Sequence, residues 1–177
     1  MREIWAISDT HFNHYNILKF DTGRGGDFDT LQEMNETIIK NWNEKVKQGD
    51  YVYHLGDVYF GNSGWFKTQW PRLNGSKRLI VGNHDDIKFL SAGAFFKKVS
   101  MWRMFPEYRC VLTHTPIHLG SGNAKYTTNI HGHTHRNWVT LPNGQRDTRY
   151  LNICVENTDY SPVHLYSTME RLQKLNA

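Results

Sequence analysis

With 177 residues, 38% of them hydrophobic and 14% aromatic, the chain can bury the core of a single domain spanning 1–177 without disulfide staples, which excludes disordered and disulfide-framework classes. A formal charge of +4 on scattered lysines and arginines favours anionic ligands but falls short of the basic stripe of a dedicated nucleic-acid binder. The two cysteines, Cys110 and Cys154, each sit in a strand-like apolar run and read as buried free thiols, compatible with a reducing compartment.

The first apolar run, Ile4 to Ile7, predicts a strand that ends at Asp9-Thr10-His11. That run is too short for a signal-peptide core, and no stretch approaches the roughly 20 apolar residues of a membrane span, so the expected location is the cytoplasm with no membrane partner. Residues 12–28 then read as a loop carrying Phe12, His14, Tyr15, Phe20 and a glycine-flanked Arg24. Thr30 and Glu33 have capping-box spacing, and Leu31, Met34, Ile38, Trp42 and Val46 recur at helical intervals until Gly49.

A second strand, Tyr51 to Leu55, leads into Gly56-Asp57; its His54 reads as a core or supporting imidazole. A shorter helix is expected from about Ser63 towards Leu73, with Pro71 weakening its last turn. Leu79 to Val81 is the next strand, ending at Gly82-Asn83-His84-Asp85, and Asp86 to Ala92 reads as a brief helix.

Lys97 to Met104 and Tyr108 to Thr113 read as two strands joined by a Pro106-Glu107 turn, the second running into His114. His118 opens a loop that also holds Lys125 and Tyr126. Asn129-Ile130 precedes Gly132-His133-Thr134-His135, and Pro142-Asn143-Gly144 punctuates a predicted hairpin between Trp138-Val139 and Tyr150 to Val155. A Val163 to Tyr166 strand, with His164 facing outward, then meets a Ser167-x-x-Glu170 cap and a helix to Leu175.

Five times, then, an apolar run ends immediately before polar groups suited to bind metal, which places those groups at strand ends, where open α/β sheets bind ligands. Taken alone, Asp-x-His or Gly-Asp is an ordinary turn, and Gly-Asn-His-Asp could be a turn and a helix cap. Gly-His-x-His is more specific, because alternate residues of an extended segment point the same way. Together they spell a dinuclear site built from oxygen and imidazole without thiolate, suited to Mn, Fe, Zn, Ni or Co. Two cations within about 4 Å of each other need an anion between them, and Asp57 is the natural bridge.

These clusters, in this order, resemble the calcineurin-like metallophosphoesterases, whose pattern is Asp-x-His, Gly-Asp, Gly-Asn-His-Asp/Glu, His and Gly-His-x-His. The stretches Ile7-Ser8-Asp9-Thr10-His11-Phe12, Tyr53-His54-Leu55-Gly56-Asp57-Val58 and Leu151-Asn152-Ile153 are similar to small single-domain members from bacteria and phages. Alternating β and α elements suggest two facing sheets with helices outside; the resemblance sharpens this to a four-layer α/β/β/α sandwich of two facing mixed sheets, with the metals at one sheet edge.

By similarity, one metal would be held by Asp9, His11, Asp57 and His135, and the other by Asp57, Asn83, His114 and His133. A hydroxide between them would be the nucleophile. His84, left over as a non-ligand, is suited to contact the phosphate and protonate the leaving oxygen. Asp85 would orient His84 or serve the following helix.

The expected activity is hydrolysis of small, nucleotide-like phosphoesters, as a phosphodiesterase or phosphatase without a covalent intermediate. A nuclease would want a long basic groove or a capping domain, and a non-catalytic scaffold would be expected to have lost His84. His14 and His118 are expected at the mouth of the site, and Arg24 near the substrate phosphate.

Overall fold

The computed structural model describes residues 2–176. In chain order the elements are β1 (Ile4–Ile7), α1 (Ile17–Phe20), α2 (Thr22–Asp27), α3 (Leu31–Lys45), β2 (Tyr51–His54), α4 (Ser63–Gln69), β3 (Ser76–Ile80), α5 (Ile87–Ala92), β4 (Lys98–Ser100), β5 (Trp102–Phe105), β6 (Cys110–Thr113), β7 (Thr128–His131), β8 (Tyr150–Asn152), β9 (Val163–His164) and α6 (Leu165–Leu175). They form two mixed sheets, ordered β4-β3-β2-β1-β9 and β5-β6-β7-β8.

Side-chain alternation explains why the sheets face each other. On β1 to β3, Trp5, Ile7, Val52 and Leu79 point to one face and Ile4, Ala6, Tyr53 and Ile80 to the other. The first face packs on Met34, Ile38 and Trp42 of α3 and on Phe66 of α4. The second meets Cys110 and Leu112 of β6 and Ile130 of β7, and α6 adds Leu165, Met169 and Leu172 to that inter-sheet core. The two thiols are buried, as expected. No helix among the described residues is long and apolar enough to cross a membrane.

Strand register sets the position of the site. Ile7 is level with His54, and His54 with Leu79; in the second sheet Leu112 is level with Ile130, and Ile130 with Leu151. All these neighbours are parallel, so the chain leaves their C-terminal ends along one edge. Beyond β8 the backbone joins the sheets there: the Ile153 N–H donates to His131 O, and the Val155 N–H to Ser8 O.

Helix α3 begins where Thr30 Oγ1 accepts the Glu33 N–H, while the Glu33 carboxylate reaches back to the Asp29 N–H. Helix α4 passes at Trp70 into a 3-10 turn containing Pro71, as the proline requires. Four expectations need correction. The run from Lys97 to Met104 is two strands in different sheets, β4 on β3 and β5 on β6, with an exposed Met101 at the break. Periodicity reports which face a side chain takes and not which sheet its strand joins.

The Pro142-Asn143-Gly144 turn closes only a small ladder with one Thr140–Arg146 bridge, because Tyr150–Asn152 pairs in parallel with β7 instead. Helix α6 is capped by the His164 imidazole, which accepts the Ser167 N–H, rather than by Ser167; His164 is half-buried and bonded to Glu3. The segment read as a glycine loop around Arg24 is α2, started by Asp21 Oδ1 accepting the Gly23 and Arg24 N–H groups.

His54, the last residue of β2, is fully buried. The Thr10 hydroxyl donates to Val58 O, so the His54 Nε2–H must donate to Thr10 Oγ1. Burial, with the nearby His114 adding to it, lowers its pKa to about 3. Between that value and the unfolded value of 6.5 the unfolded chain binds a proton that the folded one refuses, so stability falls as pH falls. The metal-free protein should lose up to about 1.4 kcal/mol per pH unit in this window through His54. Urea midpoints at pH 7 and pH 5 in chelator test it, and His54→Gln should flatten the profile; an equally steep profile in the variant would count against it.

Candidate metal centre

Five of the residues expected to bind metal follow strand ends in left-handed backbone: Asp9 (φ 56°), His11 (φ 45°), Asp57 (φ 54°), His133 (φ 66°) and His135 (φ 49°). Such a conformation costs an ordinary residue roughly 1–2 kcal/mol, and surrounding bonds must hold it. The β1 and β2 loops supply them: Asp9 N–H donates to Gly56 O, His11 N–H to Asp57 O and Phe12 N–H to Val58 O, each at 3.0 Å. Turning the backbone at alternate residues throws the Asp9, His11 and Asp57 side chains towards one point.

Each aspartate uses one oxygen on backbone and leaves one free. Asp57 Oδ1 accepts the His84 N–H at 2.9 Å, and Asp9 Oδ2 accepts the His133 N–H at 2.9 Å. Asp57 Oδ2 lies 3.6 Å from His11 Nε2 and 3.6 Å from His114 Nε2, between the two halves of the cluster. One half gathers donor atoms of Asp9, His11 and His135, the other those of Asp57, His114 and His133, each set within 4.8 Å of one another.

The polar atoms here fit a cation. Asp9 Oδ1 and His11 Nε2 are buried without a hydrogen-bond partner, a costly arrangement unless something positive binds them. Leu55 O sits 2.7 Å from His114 Nδ1 and claims its proton in the neutral ring, so Nε2 turns a lone pair towards Asn83 Oδ1, 2.8 Å away. Two facing acceptors are what a shared ion satisfies. Burial lowers the pKa of His11 well below the ordinary range, with Arg24 adding to it, and burial lowers His133 too, so both rings are neutral and able to ligate at pH 7. Burial also raises Asp9, an effect that a bound cation reverses.

His135 is supported differently. Burial alone would lower its pKa, but its Nδ1 lies 2.8 Å from Glu156 Oε1, and that bond and charge raise it; the carboxylate orients the ring and leaves Nε2 for a ligand. Burial opposes the ionisation of Glu156, yet His135 and Arg24 hold it below the usual carboxylate range.

Arg24, expected near the substrate phosphate, lies instead beneath the first loop, away from solvent. It is fully buried, its Nε and Nη2 groups on Glu156 Oε1 and its Nη groups on the Thr10 and Asp9 carbonyls. His84 is exposed, its ring 5.9 Å from that of His11 and 5.5 Å from that of Phe60. His14 is stacked on Phe60 with ring centroids 4.3 Å apart, its Nδ1 3.4 Å from His11 Nδ1. His118 is exposed at the start of a 3-10 turn, Leu119–Gly122, and belongs to neither donor set. Phe12 is buried, whereas Tyr15 is exposed.

The family model for calcineurin-like phosphoesterases matches residues 2–159. The chain belongs to this family. Calcineurin-like phosphoesterases are metal-dependent hydrolases of phosphoesters, and the His/Asp groups above are able to hold such ions. The chain is 36% identical to an uncharacterized protein of Methanocaldococcus jannaschii over 98% of its own length and 93% of that protein's. It is 29% identical to the Gene 66 protein of Mycobacterium phage L5, over 59% of this chain and 50% of the phage protein. A crystal structure of a protein of unknown function from Aquifex aeolicus shares the fold, with a TM-score of 0.70 and 24% identity over 97% of this chain and 100% of that one.

The glycines of this calcineurin-like pattern are close-approach positions. A Cβ on Gly82 would collide with Asp57 Oδ1 and the Asp57 amide, and one on Gly132 with Ser8 Oγ and Asp9 Oδ2. Three supporting residues escaped sequence reasoning as such: Glu156, Asn157 and Asn152. The Asn152 amide donates to Thr134 Oγ1 and to the His135 and Asn137 carbonyls, and Asn157 adds a bond to His135 O. Asn152 had a signal in Leu151-Asn152-Ile153; Glu156 had none.

Asp85 neither touches the His84 ring nor caps α5, whose cap is Asp86. Its carboxylate accepts the Gly82 N–H at 2.8 Å, Val58 N–H at 2.9 Å and Asp57 N–H at 3.2 Å, binding the third cluster to the second. Asp85→Ala should therefore cost about 2–4 kcal/mol and weaken metal binding together with turnover. Urea unfolding and metal titration read both; full stability with turnover alone lost would return Asp85 to a role on His84.

Proposed function

We propose that the protein is a dinuclear metal-dependent phosphoesterase acting on small, nucleotide-like phosphoesters, with Asp9, His11, Asp57 and His135 holding one divalent ion and Asp57, Asn83, His114 and His133 the other. The observation that carries this reading is the position of Asp57 Oδ2, equidistant at 3.6 Å from His11 Nε2 and His114 Nε2. When bound, a pair of ions such as Mn, Fe, Zn, Ni or Co supplies charge neutralisation at the phosphate and a water acidified enough to attack it.

The remaining work falls to the chain. His84, exposed beside Asn83 and tied through its backbone to Asp57, holds a proton for the departing alcohol oxygen. Phe60 packs beside it, with His14 stacked on Phe60, and limits how the ring swings. Both thiols are buried, the Ser8 hydroxyl beside Asp9 is occupied by Asp9 Oδ2 and Leu55 O, and hydrolysis proceeds without a phosphorylated enzyme.

His84→Ala should lower turnover by about 10²–10⁴-fold while leaving metal content unchanged. Metal analysis beside steady-state kinetics checks both halves, and metal loss in the variant would contradict the assignment. The activity itself is tested on bis(p-nitrophenyl) phosphate and on single-stranded DNA with Mn, Ni or Zn supplied. Turnover of the small ester is expected; cleavage of DNA alone would favour a nuclease, and no turnover of either would favour a non-catalytic scaffold.

A further inference from the structure

On the Asn83 and His114 side of the cluster, a cavity of about 860 Å³ opens between β5, β6, the start of α5 and residues 115–126. Its volume lies in the upper part of the roughly 300–1,000 Å³ range of organic-ligand pockets, far more than a phosphate group needs. Met104, Val111, Ile117 and Tyr126 form its walls, and the exposed Met101 and Trp102 its rim. Its one lining carboxylate, Asp85, is already occupied by three backbone N–H groups, and Lys125 is its lysine.

The walls are held in place before any ligand arrives. Ile117 N–H donates to Asn129 Oδ1 and Ile117 O accepts the Tyr150 hydroxyl, while the Ser121 and Tyr126 hydroxyls share a hydrogen bond. His84 does not line this cavity. It borders a separate depression with Tyr59, Phe60, Gly61 and Asp86. An alcohol protonated by His84 therefore departs on the Phe60 side, and whatever fills the larger cavity is a different substituent of the same phosphorus.

Resting on the reading above, we propose that this cavity receives the non-leaving substituent of a phosphodiester, a large aromatic group of nucleobase kind, which makes the protein a diesterase. A phosphomonoester has a single organic arm and leaves one of the two recesses empty. Methionine, tyrosine and tryptophan offer polarisable faces to a planar ring and little to a sugar or a second phosphate. In the reaction, water gives a proton to solvent as its oxygen bonds to phosphorus, the bond to the leaving alcohol breaks, and that alcohol's oxygen takes the proton from His84, which solvent then reprotonates. A monoester remains with its aromatic group in the cavity.

Three esters with the same p-nitrophenolate leaving group test this with Mn present: the p-nitrophenyl ester of thymidine 5′-monophosphate, ethyl p-nitrophenyl phosphate and p-nitrophenyl phosphate. The thymidine ester should exceed the ethyl ester in kcat/KM by about tenfold or more, with the monoester slowest. Ile117→Asp in the wall and Trp102→Ala at the rim should each bring the thymidine-to-ethyl ratio to within about threefold of one; the rim position serves if the wall variant does not fold.

Calorimetry on the metal-free protein gives a readout apart from turnover. Diphenyl phosphate should bind about tenfold more tightly than dimethyl phosphate, and Trp102→Ala should remove the difference. Hydrolysis with equal kcat/KM for the thymidine and ethyl esters, or a preference untouched by both variants, overturns the proposal. Failure of all three esters to react would sink the hydrolase reading, and the cavity is then judged by calorimetry, where equal binding of the two phosphates overturns it.

Discussion

Asp57→Ala should empty both halves of the metal centre and reduce kcat/KM by about 10⁴-fold or more. The physical reason is the double use of one side chain. Oδ2 stands between the His11 and His114 rings, and Oδ1 accepts the His84 N–H, so under the proposed reading the same carboxylate would be the anion between two cations, while it anchors the loop that carries Asn83 and His84. Asp57→Asn keeps an oxygen for the His84 amide but removes the charge. It should retain the loop and still lose the ions, which separates electrostatics from geometry. Metal content per chain, measured beside circular dichroism, reads this; a folded Asp57→Ala protein that keeps two ions would refute the bridge.

Arg24→Leu should destabilise the metal-free protein by about 3–5 kcal/mol. Arg24 and Glu156 are both fully buried and joined through Glu156 Oε1, while the guanidinium also ties down the Asp9 and Thr10 carbonyls at the left-handed turn of the first loop. Removing the cation strands a buried carboxylate and frees two carbonyls. Glu156 then has His135 as its main partner, which draws His135 towards its protonated form and away from metal. The double variant Arg24→Leu/Glu156→Gln should recover part of the loss, because no uncompensated charge remains. Urea unfolding in chelator measures both, and a loss below about 1 kcal/mol for the single variant would show the pair to be dispensable.

The parts of this molecule that could be read in advance are those governed by local pattern. Apolar runs at Ile4, Tyr51, Leu79, Cys110 and Asn129 announce strands, and the residues that follow them carry their chemistry in plain view. The remainder depends on partners far away in the chain. Arg24 sits among three glycines and looks like a mobile loop; what makes it a buried strut is an Asp21 cap and a glutamate 132 residues on. Asp85 looks like a catalytic neighbour or a helix cap until three backbone amides, one from its own cluster and two from the loop after β2, are found on its oxygens. Lys97 to Met104 has the periodicity of one strand, and only the pairing partners, β3 and β6, reveal a chain stepping from one sheet to the other.

Anomalous scattering from crystals of the Mn-loaded protein addresses the metal centre most directly. Two peaks should flank Asp57 Oδ2, one among Asp9, His11 and His135, the other among Asn83, His114 and His133, with His84 bound to neither. A single peak, or ions held without Asp57, would contradict the account.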